Sequence, residues 1–472
     1  MRILLIDPGT KELGGNFPHC GLGYVAAALE RDGNQITVLD MAVSKQKVLS
    51  KLLGSGIDLV GISATSFTFT RAVGVIEKIK SMNKNVITVM GGPHTTIAMG
   101  DVLQCASIDY AVYGEGELTM VELVRLLKLQ PNPSQHRLAS IKGLIFRSSE
   151  GDTVVNPPRP WITDLDKLAF PAFHLFNMNH YQVYPLITSR GCPHHCIYCA
   201  VGAIWGRRVR FRSVTNIIEE IKYAQANYNW YHKSFTIQDD CFNANVHRAL
   251  KFCEQLIQDK INIKWSCPGI RADNMPLKLA MKMKMAGCIG VSIGVESADP
   301  QVLKNIKKGE TIEQILDGIK NLVRAGIRVN GGFMIGNPGD NLQTIKKSIE
   351  FIRKSSLSTA YFNTALPYPK TELWDFVQKH GNFLHDDYTK FHHFSSEPIF
   401  ETEDFPRAER IKAYKMARRF YLIHRLKSDL RIAVIRLKGR ELKEVGVRGV
   451  IGFMRNYFKI ILDILLNREQ RV

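Results

Sequence analysis

No uninterrupted apolar run in the 472-residue sequence reaches the length that spans a bilayer, which takes about 20 residues as a helix. No leader is expected either: Met1-Arg2 passes directly into Ile3-Leu4-Leu5-Ile6-Asp7, too short for a signal core and readable as a strand. Cysteine is scarce, nine in all. The odd count and the scatter argue against a disulfide framework and predict a reducing, cytoplasmic setting. Acidic residues are in deficit, 44 against 63 Lys and Arg, for a net charge of +19. The deficit is uneven, since residues 407–472 carry 18 Lys and Arg against 6 Asp and Glu. A basic tail can meet nucleic acid, an anionic membrane, an acidic substrate or only water. No nucleic-acid motif accompanies it, so nucleic acid is not the expected partner. What remains is ordinary for a folded protein: 45% hydrophobic and 23% charged residues, with a length that predicts about two to four domains.

Three of the cysteines break the scatter. In Arg190-Gly191-Cys192-Pro193-His194-His195-Cys196-Ile197-Tyr198-Cys199 they stand four and three residues apart. The stretch Tyr184 to Ser189 predicts a strand that delivers them onto a loop. Three thiolates at this spacing suit three irons of a [4Fe–4S] cube, with the fourth iron open to a small molecule. An open iron suggests chemistry; a fully ligated cluster would suggest electron storage. Zinc is the competing occupant, but structural zinc normally takes four ligands. The next cysteine, Cys241, is far along the chain, and His194 or His195 would complete the set at an unfamiliar spacing. Inert buried thiols are a third reading; spacing alone favours the cluster.

Upstream, apolar strands alternate with helices: Ile3–Ile6, Gln35–Leu39, Leu59–Ser63, Val86–Met90 and Tyr110–Tyr113, with helices Gly21–Asp32, Ala42–Gly54, Arg71–Met82 and Leu118–Lys128. This pattern predicts a doubly wound parallel sheet, whose ligands sit beyond the carboxyl ends of the strands. Asp7, Ser63 to Ser66, Gly91-Gly92-Pro93-His94-Thr95 and Gly114-Glu115-Gly116-Glu117 fall there. Gly91 and Gly92 would let a backbone approach a ligand closely, or simply turn the chain. From Pro131 to Tyr184 prolines break the pattern, and Ile141–Phe146 with Thr153–Val155 reads as a small hairpin. Beyond the cysteines the alternation resumes. Strands Leu186–Ser189, Ser234–Gln238, Lys264–Cys267, Gly290–Gly294, Val329–Ile335 and Ala360–Thr364 predict an incomplete (β/α)6 barrel with its site at the strand C-terminal ends.

Those ends carry an ordered series of motifs. Cys-x3-Cys-x2-Cys with Tyr198 before the last cysteine is followed by Arg210-Phe211-Arg212-Ser213, Gln238-Asp239-Asp240, Gly294-Val295-Glu296-Ser297 and Ile335-Gly336-Asn337-Pro338-Gly339-Asp340. The series resembles the radical S-adenosylmethionine (SAM) superfamily, closely over Tyr184 to Thr371. Residues 1–130 look like the cobalamin-binding domain that precedes many such barrels, on Gly91-Gly92-Pro93-His94 and Tyr113-Gly114-Glu115-Gly116-Glu117. The resemblance implies Cys192, Cys196 and Cys199 as cluster ligands. It places Gln238, Asp239 and Asp240 at the methionine end of SAM, and Glu296 and Ser297 near its ribose. Met334, Ile335, Gly336 and Asn337, with Tyr198, line its adenine. Ser63, Gly91, Gly92, His94, Gly114 and Glu115 face cobalamin. Asp340 stands where the family often has Glu and is given no role. The Asp-x-His-x-x-Gly run that supplies an axial histidine in cobalamin mutases is absent; the loop reads Asp7-Pro8-Gly9-Thr10-Lys11-Glu12-Leu13-Gly14.

The resemblance also implies a reaction. A reduced cluster cleaves SAM to methionine and a 5′-deoxyadenosyl radical, which takes hydrogen from an unactivated carbon; in methyl-transferring members cobalamin then delivers a methyl group. C-methylation is the leading expectation. Ring formation of the tetrapyrrole-cyclase kind, RNA modification and a non-enzymatic cobalamin or redox sensor are the alternatives. An electron donor such as flavodoxin or ferredoxin is implied as a partner. The expected organisation is a cobalamin-binding unit over 1–130, a connector over 131–183, the barrel over 184–400 and a basic helical region over 401–472. In that last region Arg407–Leu426 and Val447–Asn467 read as helices. The second is basic and amphipathic, suited to a peripheral membrane contact or equally to packing on the barrel. It tilts the expected substrate towards a lipid or other apolar metabolite.

Overall fold

The computed structural model describes residues 1–9, 17–44 and 47–438. The loop from Thr10 to Gly14 and the helix expected over Val447–Asn467 lie outside the described residues. In the first third, β1 (Arg2–Asp7), β2 (Gln35–Asp40), β3 (Leu59–Ser63), β4 (Ile87–Gly91) and β5 (Tyr110–Val112) run parallel in the order β2-β1-β3-β4-β5. Successive side chains of a strand point to opposite faces. Ile3 and Leu5 accordingly join the layer of helices Cys20–Arg31 and Gly116–Leu129, whereas Leu4 and Ile6 join that of helix Phe69–Met82. Both faces are covered, which is why these strands read as unbroken apolar runs.

Two local departures from the sequence pattern have visible causes. The helix expected over Ala42–Gly54 does not include Ala42 to Ser44, because the Asp40 carboxylate accepts from the Ala42 N–H and its carbonyl from the Ser44 N–H, forming a turn; the described helix is Lys47–Leu53. The hairpin β6 (Leu144–Arg147) and β7 (Thr153–Val155) does form, but it adds antiparallel to β5 and so extends the first sheet to seven strands. Buried Asn156 fixes it there, donating to the carbonyls of Leu138 and Ile141 while its own carbonyl accepts from the Tyr113 hydroxyl.

The second sheet opens with β8 (Val183–Leu186). The chain breaks at Ile187-Thr188, and β9 (Ser189–Arg190) pairs separately with β10 (Arg210–Phe211). Then β11 (Ser234–Ile237), β12 (Lys264–Ile270), β13 (Cys288–Glu296), β14 (Arg328–Ile335) and β15 (Thr359–Thr364) follow, each parallel to its predecessor, in a six-stranded open array. Capped helices return the chain between strands; Thr311 and Gln314, for example, form a reciprocal capping box at the start of Ile312–Arg324. Trp265 anchors the core, fully buried, with its indole N–H donating to the Ala286 carbonyl. Helix Arg407–Lys438 extends past the expected end at Leu426 and packs Ala413, Tyr414 and Ala417 against β15 and helix Leu342–Lys354. Its length follows from the sequence: neither Gly nor Pro occurs between Arg407 and Lys438. No described helix is long and apolar enough to cross a membrane.

Candidate active site

The strand break at Ile187-Thr188 is made by Asp239, at the end of β11. Its buried carboxylate accepts from the backbone N–H and hydroxyl of both Thr188 and Ser189. Asp240, next in line, accepts from the Gly191 N–H at 2.9 Å. Burial pushes the Asp240 carboxyl up to about 6, against the Gly191 hydrogen bond. Together the two acids pull the chain out of β8 and hold the start of the cysteine loop. Gly191 completes the turn at φ +95°, where an added Cβ would lie 2.8 Å from the Arg208 carbonyl.

Cys192, Cys196 and Cys199 all carry free thiols on this loop, Cys196 buried and the other two half-buried. Burial pushes Cys199 up to about 12 and raises Cys196, while the positive fields of Lys308 and Arg271 favour the Cys196 thiolate. Cys192 and Cys196 in turn act electrostatically on Cys199. Cys192 by contrast is lowered to about 7. Three crowded thiols, two of them resisting ionisation alone and with cations beside them, fit a polynuclear iron cluster, whose own charge stabilises the thiolates. The structure adds a neighbour: the ligand atoms of Cys192, His194 and buried Cys241 lie within 4.8 Å of one another.

Across the loop lies a cavity of about 230 Å³ at the C-terminal ends of the first sheet. Ser63, Gly91, Gly92, Gly114 and Glu115 all line it. Gly92 (φ +100°) has no room for a Cβ, which would fall 2.7 Å from the Ser63 hydroxyl and 2.8 Å from the Ala64 backbone. An apolar pocket with glycine edges fits part of a large cofactor laid over the strand ends. His94 is not among its lining residues. It turns into the protein, where its Nδ1 lies 3.1 Å from the Ser66 hydroxyl and its ring packs, tilted, with its centre 4.0 Å from that of Phe69. Burial lowers its pKa to about 4.

Cavity and cysteine loop are joined by a buried ionic hub. Arg190, two residues before Cys192, donates to Glu115 and to Glu117 at 2.6 Å each, and Arg210 donates to Glu115 at 2.8 Å. All four side chains are 2–6% exposed. Arg190 also lies over the rings of Tyr24 and Trp205, at 5.0 and 5.4 Å. Burial opposes its charge, but Glu117 and Glu115 more than restore it, and its pKa stands above the ordinary guanidinium value. Glu117, Arg190 and Arg210 were in the quoted motifs but carried no role there; an acidic pair at one strand end and arginines flanking the cysteines were the available signal.

On the barrel side, Glu296 sits at the end of β13 with φ +66°. It accepts from the Tyr198 hydroxyl at 3.0 Å and faces Lys308 at 3.7 Å. Lys308 pairs in turn with Glu310 at 3.3 Å, and Arg271 with Asp273 at 2.9 Å. Tyr198 is thereby tied to the strand end that carries Ser297, whose hydroxyl accepts from the Asp299 N–H. Met334, Ile335, Gly336 and Asn337 end β14, with Asp340 accepting from the Gly336 and Asn337 N–H groups. Gln238 is half-buried and donates to the Thr236 hydroxyl. The Asn337 amide is 1% exposed, yet both its polar atoms lack a partner among the described residues, as does Oδ1 of Asn363. Buried amides are normally hydrogen-bonded, so this end of β14 fits an absent polar ligand such as SAM.

Comparison with known proteins finds the same two units. Residues 186–352 match the model of the radical SAM superfamily, and residues 7–124 that of the B12 binding domain. An uncharacterized methyltransferase of Pyrococcus horikoshii is 31% identical, covering 97% of this chain and 99% of its own. An anaerobic magnesium-protoporphyrin IX monomethyl ester cyclase of Rubrivivax gelatinosus is 27% identical over 89% of this chain and 78% of its own. Among solved structures, the radical SAM methyltransferase TsrM from Kitasatospora setae, with cobalamin and a [4Fe–4S] cluster bound, superposes with a TM-score of 0.68. It is 18% identical and shares the fold over 80% of this chain and 75% of its own. The two matched domains in this order, together with a relative alike over nearly its whole length, show that the chain belongs to the B12-binding radical SAM family.

Proposed function

We propose that this protein is a cobalamin-dependent radical SAM C-methyltransferase acting on a small apolar substrate. Its cofactors would supply a carbon-centred radical from reductive SAM cleavage and a transferable methyl group. The observation that carries the reading is the Arg190–Glu115–Glu117 hub. It ties the cysteine loop of the barrel to the cavity of the first sheet through one buried interface. Two chemistries that must act on one carbon need this fixed relation, because positioning alone contributes several kcal/mol, roughly 7–11 in the best cases.

The residues then have distinct tasks. Cys192, Cys196 and Cys199 would hold the cluster. Asp239 shapes the loop and is already fully hydrogen-bonded, so Asp240 and Gln238 are the groups of that motif left to meet the amino-acid end of SAM. Asn337 and the backbone of Met334 to Gly336 would meet the adenine, and Tyr198, Glu296 and Ser297 would border the ribose. Ser63, Gly91, Gly92, Gly114 and Glu115 would hold cobalamin. Support for an apolar substrate comes from a second cavity of about 360 Å³ between the two sheets, lined by Phe67, Ile97, Ile204, Tyr368 and Phe391 beside Ala200, the residue after Cys199. The cyclase relative supports ring closure as a second reading of the same site. Reducing equivalents would come from a flavodoxin or ferredoxin.

Anaerobically reconstituted protein is expected to bind one cluster and one cobalamin, and to form 5′-deoxyadenosine from SAM under reduction. Cys196→Ala should abolish that product; retention of 5′-deoxyadenosine in the variant would refute the cluster assignment. Deleting the gene should leave a metabolite lighter by one methyl group if methylation is correct, and an unclosed ring precursor if the cyclase reading is.

A further inference from the structure

Cys241 has no task in the reading above. It follows Asp240 on the turn after β11 and is 2% exposed. Its thiol lies beside that of Cys192, and it makes a contact of 3.9 Å to the Asn243 side-chain oxygen. The ligand atoms of Cys192, His194 and Cys241 all lie within 4.8 Å of one another. That spacing has chemical meaning. Around one tetrahedral zinc, with bonds of about 2.0–2.3 Å, donor atoms stand roughly 3.3–3.8 Å apart by simple geometry. Small side-chain rotations would bring this trio onto a single ion. A [4Fe–4S] cube spreads its thiolates over separate irons, so Cys192 and Cys241 are too close together to serve two corners of it.

The donor set is of the zinc type, two thiols and an imidazole, with the fourth position left to water or another ligand. The three residues come from two separate stretches, the cysteine loop and the β11 turn. Asp239 and Asp240 hold these stretches together through protein–protein hydrogen bonds alone. The fold itself therefore brings the three donors together, and metal affinity gains from such assembly because less ordering remains to be done on binding.

We infer that, without its iron–sulfur cluster, this protein binds one zinc ion through Cys192, His194 and Cys241, and that this ion and the cluster exclude one another because both need Cys192. Zinc would thus act as a brake on cluster loading. The exclusion rests on Cys192 as a cluster ligand; the zinc site itself does not.

Cobalt(II) titrated anaerobically into cluster-free full-length protein is the direct probe. One equivalent should produce thiolate-to-cobalt charge transfer and the intense visible bands of a tetrahedral site, and zinc should bleach both. Cys241→Ser should lose the charge-transfer intensity of its sulfur and weaken binding at least tenfold, while still taking up a cluster and cleaving SAM. His194→Asn should weaken metal binding similarly and serves if Cys241→Ser folds poorly. Pre-loading one equivalent of zinc should suppress cluster reconstitution in the wild type but not in Cys241→Ser. Cobalt spectra unchanged in both variants but lost in Cys199→Ala would overturn the site, since the metal would then sit on the cluster cysteines. A zinc site that forms as described yet leaves cluster loading unaffected would overturn the exclusion alone.

Discussion

Asp239 shows how a motif residue can serve the site by holding the backbone around it. Each of its oxygens accepts hydrogen bonds from the Thr188-Ser189 turn, and it is buried. Asp239→Ala would leave two buried N–H groups without an acceptor, each costing about 1–3 kcal/mol. A fall in melting temperature together with incomplete iron incorporation is the expected result; normal iron content would show that the loop holds its shape unaided. Arg190 behaves differently because its partners are charged. Arg190→Met should destabilise by about 3–5 kcal/mol, the usual cost of leaving a buried partner charge unpaired. Double replacement with Glu117→Gln should recover part of that loss, which chemical denaturation of the single and double variants can measure.

At the scale of the element, the β4 end combines a tight glycine turn with a buried histidine. Gly92→Ala places a Cβ against Ser63 and Ala64 at a backbone angle that side chains rarely adopt. It should weaken cobalamin binding at least tenfold, read by equilibrium dialysis, with SAM cleavage less affected. His94, two residues on, is buried with its pKa lowered from 6.5 to about 4 by burial. In the unfolded chain it binds a proton below its ordinary value, and in the folded chain only near 4. Its contribution to stability is therefore present above about 6.5 and lost as pH falls towards 4. The melting temperature of the wild type should drop more steeply between these pH values than that of His94→Gln. Parallel curves would show that the histidine is not held neutral by the fold.

Over the whole molecule, the decisive feature is that the two sheets present their strand C-terminal ends to a shared interior. Glu115 and Arg190 lie both in the hub and on the cavity wall. Cobalamin binding is therefore expected to slow amide exchange not only in residues 110–117 but also in 187–191, beyond the sheet that holds it. Exchange protection confined to the first sheet would contradict a coupled interface. Lys370, on the loop after β15, adds a second tie across the domains by donating to the Thr96 carbonyl at 2.9 Å.

The order of elements was written in local patterns: apolar runs buried on two faces, capped helices between them, and a cysteine run whose spacing names its chemistry. The same patterns marked Ser63, Gly91, Gly92, Gly114 and Glu115, which the fold gathers around one cavity. Local pattern ran the second helix back through Ala42 and ran β8 through to Ser189, because side-chain acceptors on Asp40 and Asp239 compete with the backbone for N–H groups. Nor did it separate Asp239 from Asp240, or turn His94 away from the cavity. Least legible were relations between residues far apart in sequence: Arg190 with Glu117, Tyr198 with Glu296, and Cys241 with Cys192. Such pairs leave no periodicity to read. They exist only once folding removes water from between the partners and makes each charge or thiol depend on a particular distant residue.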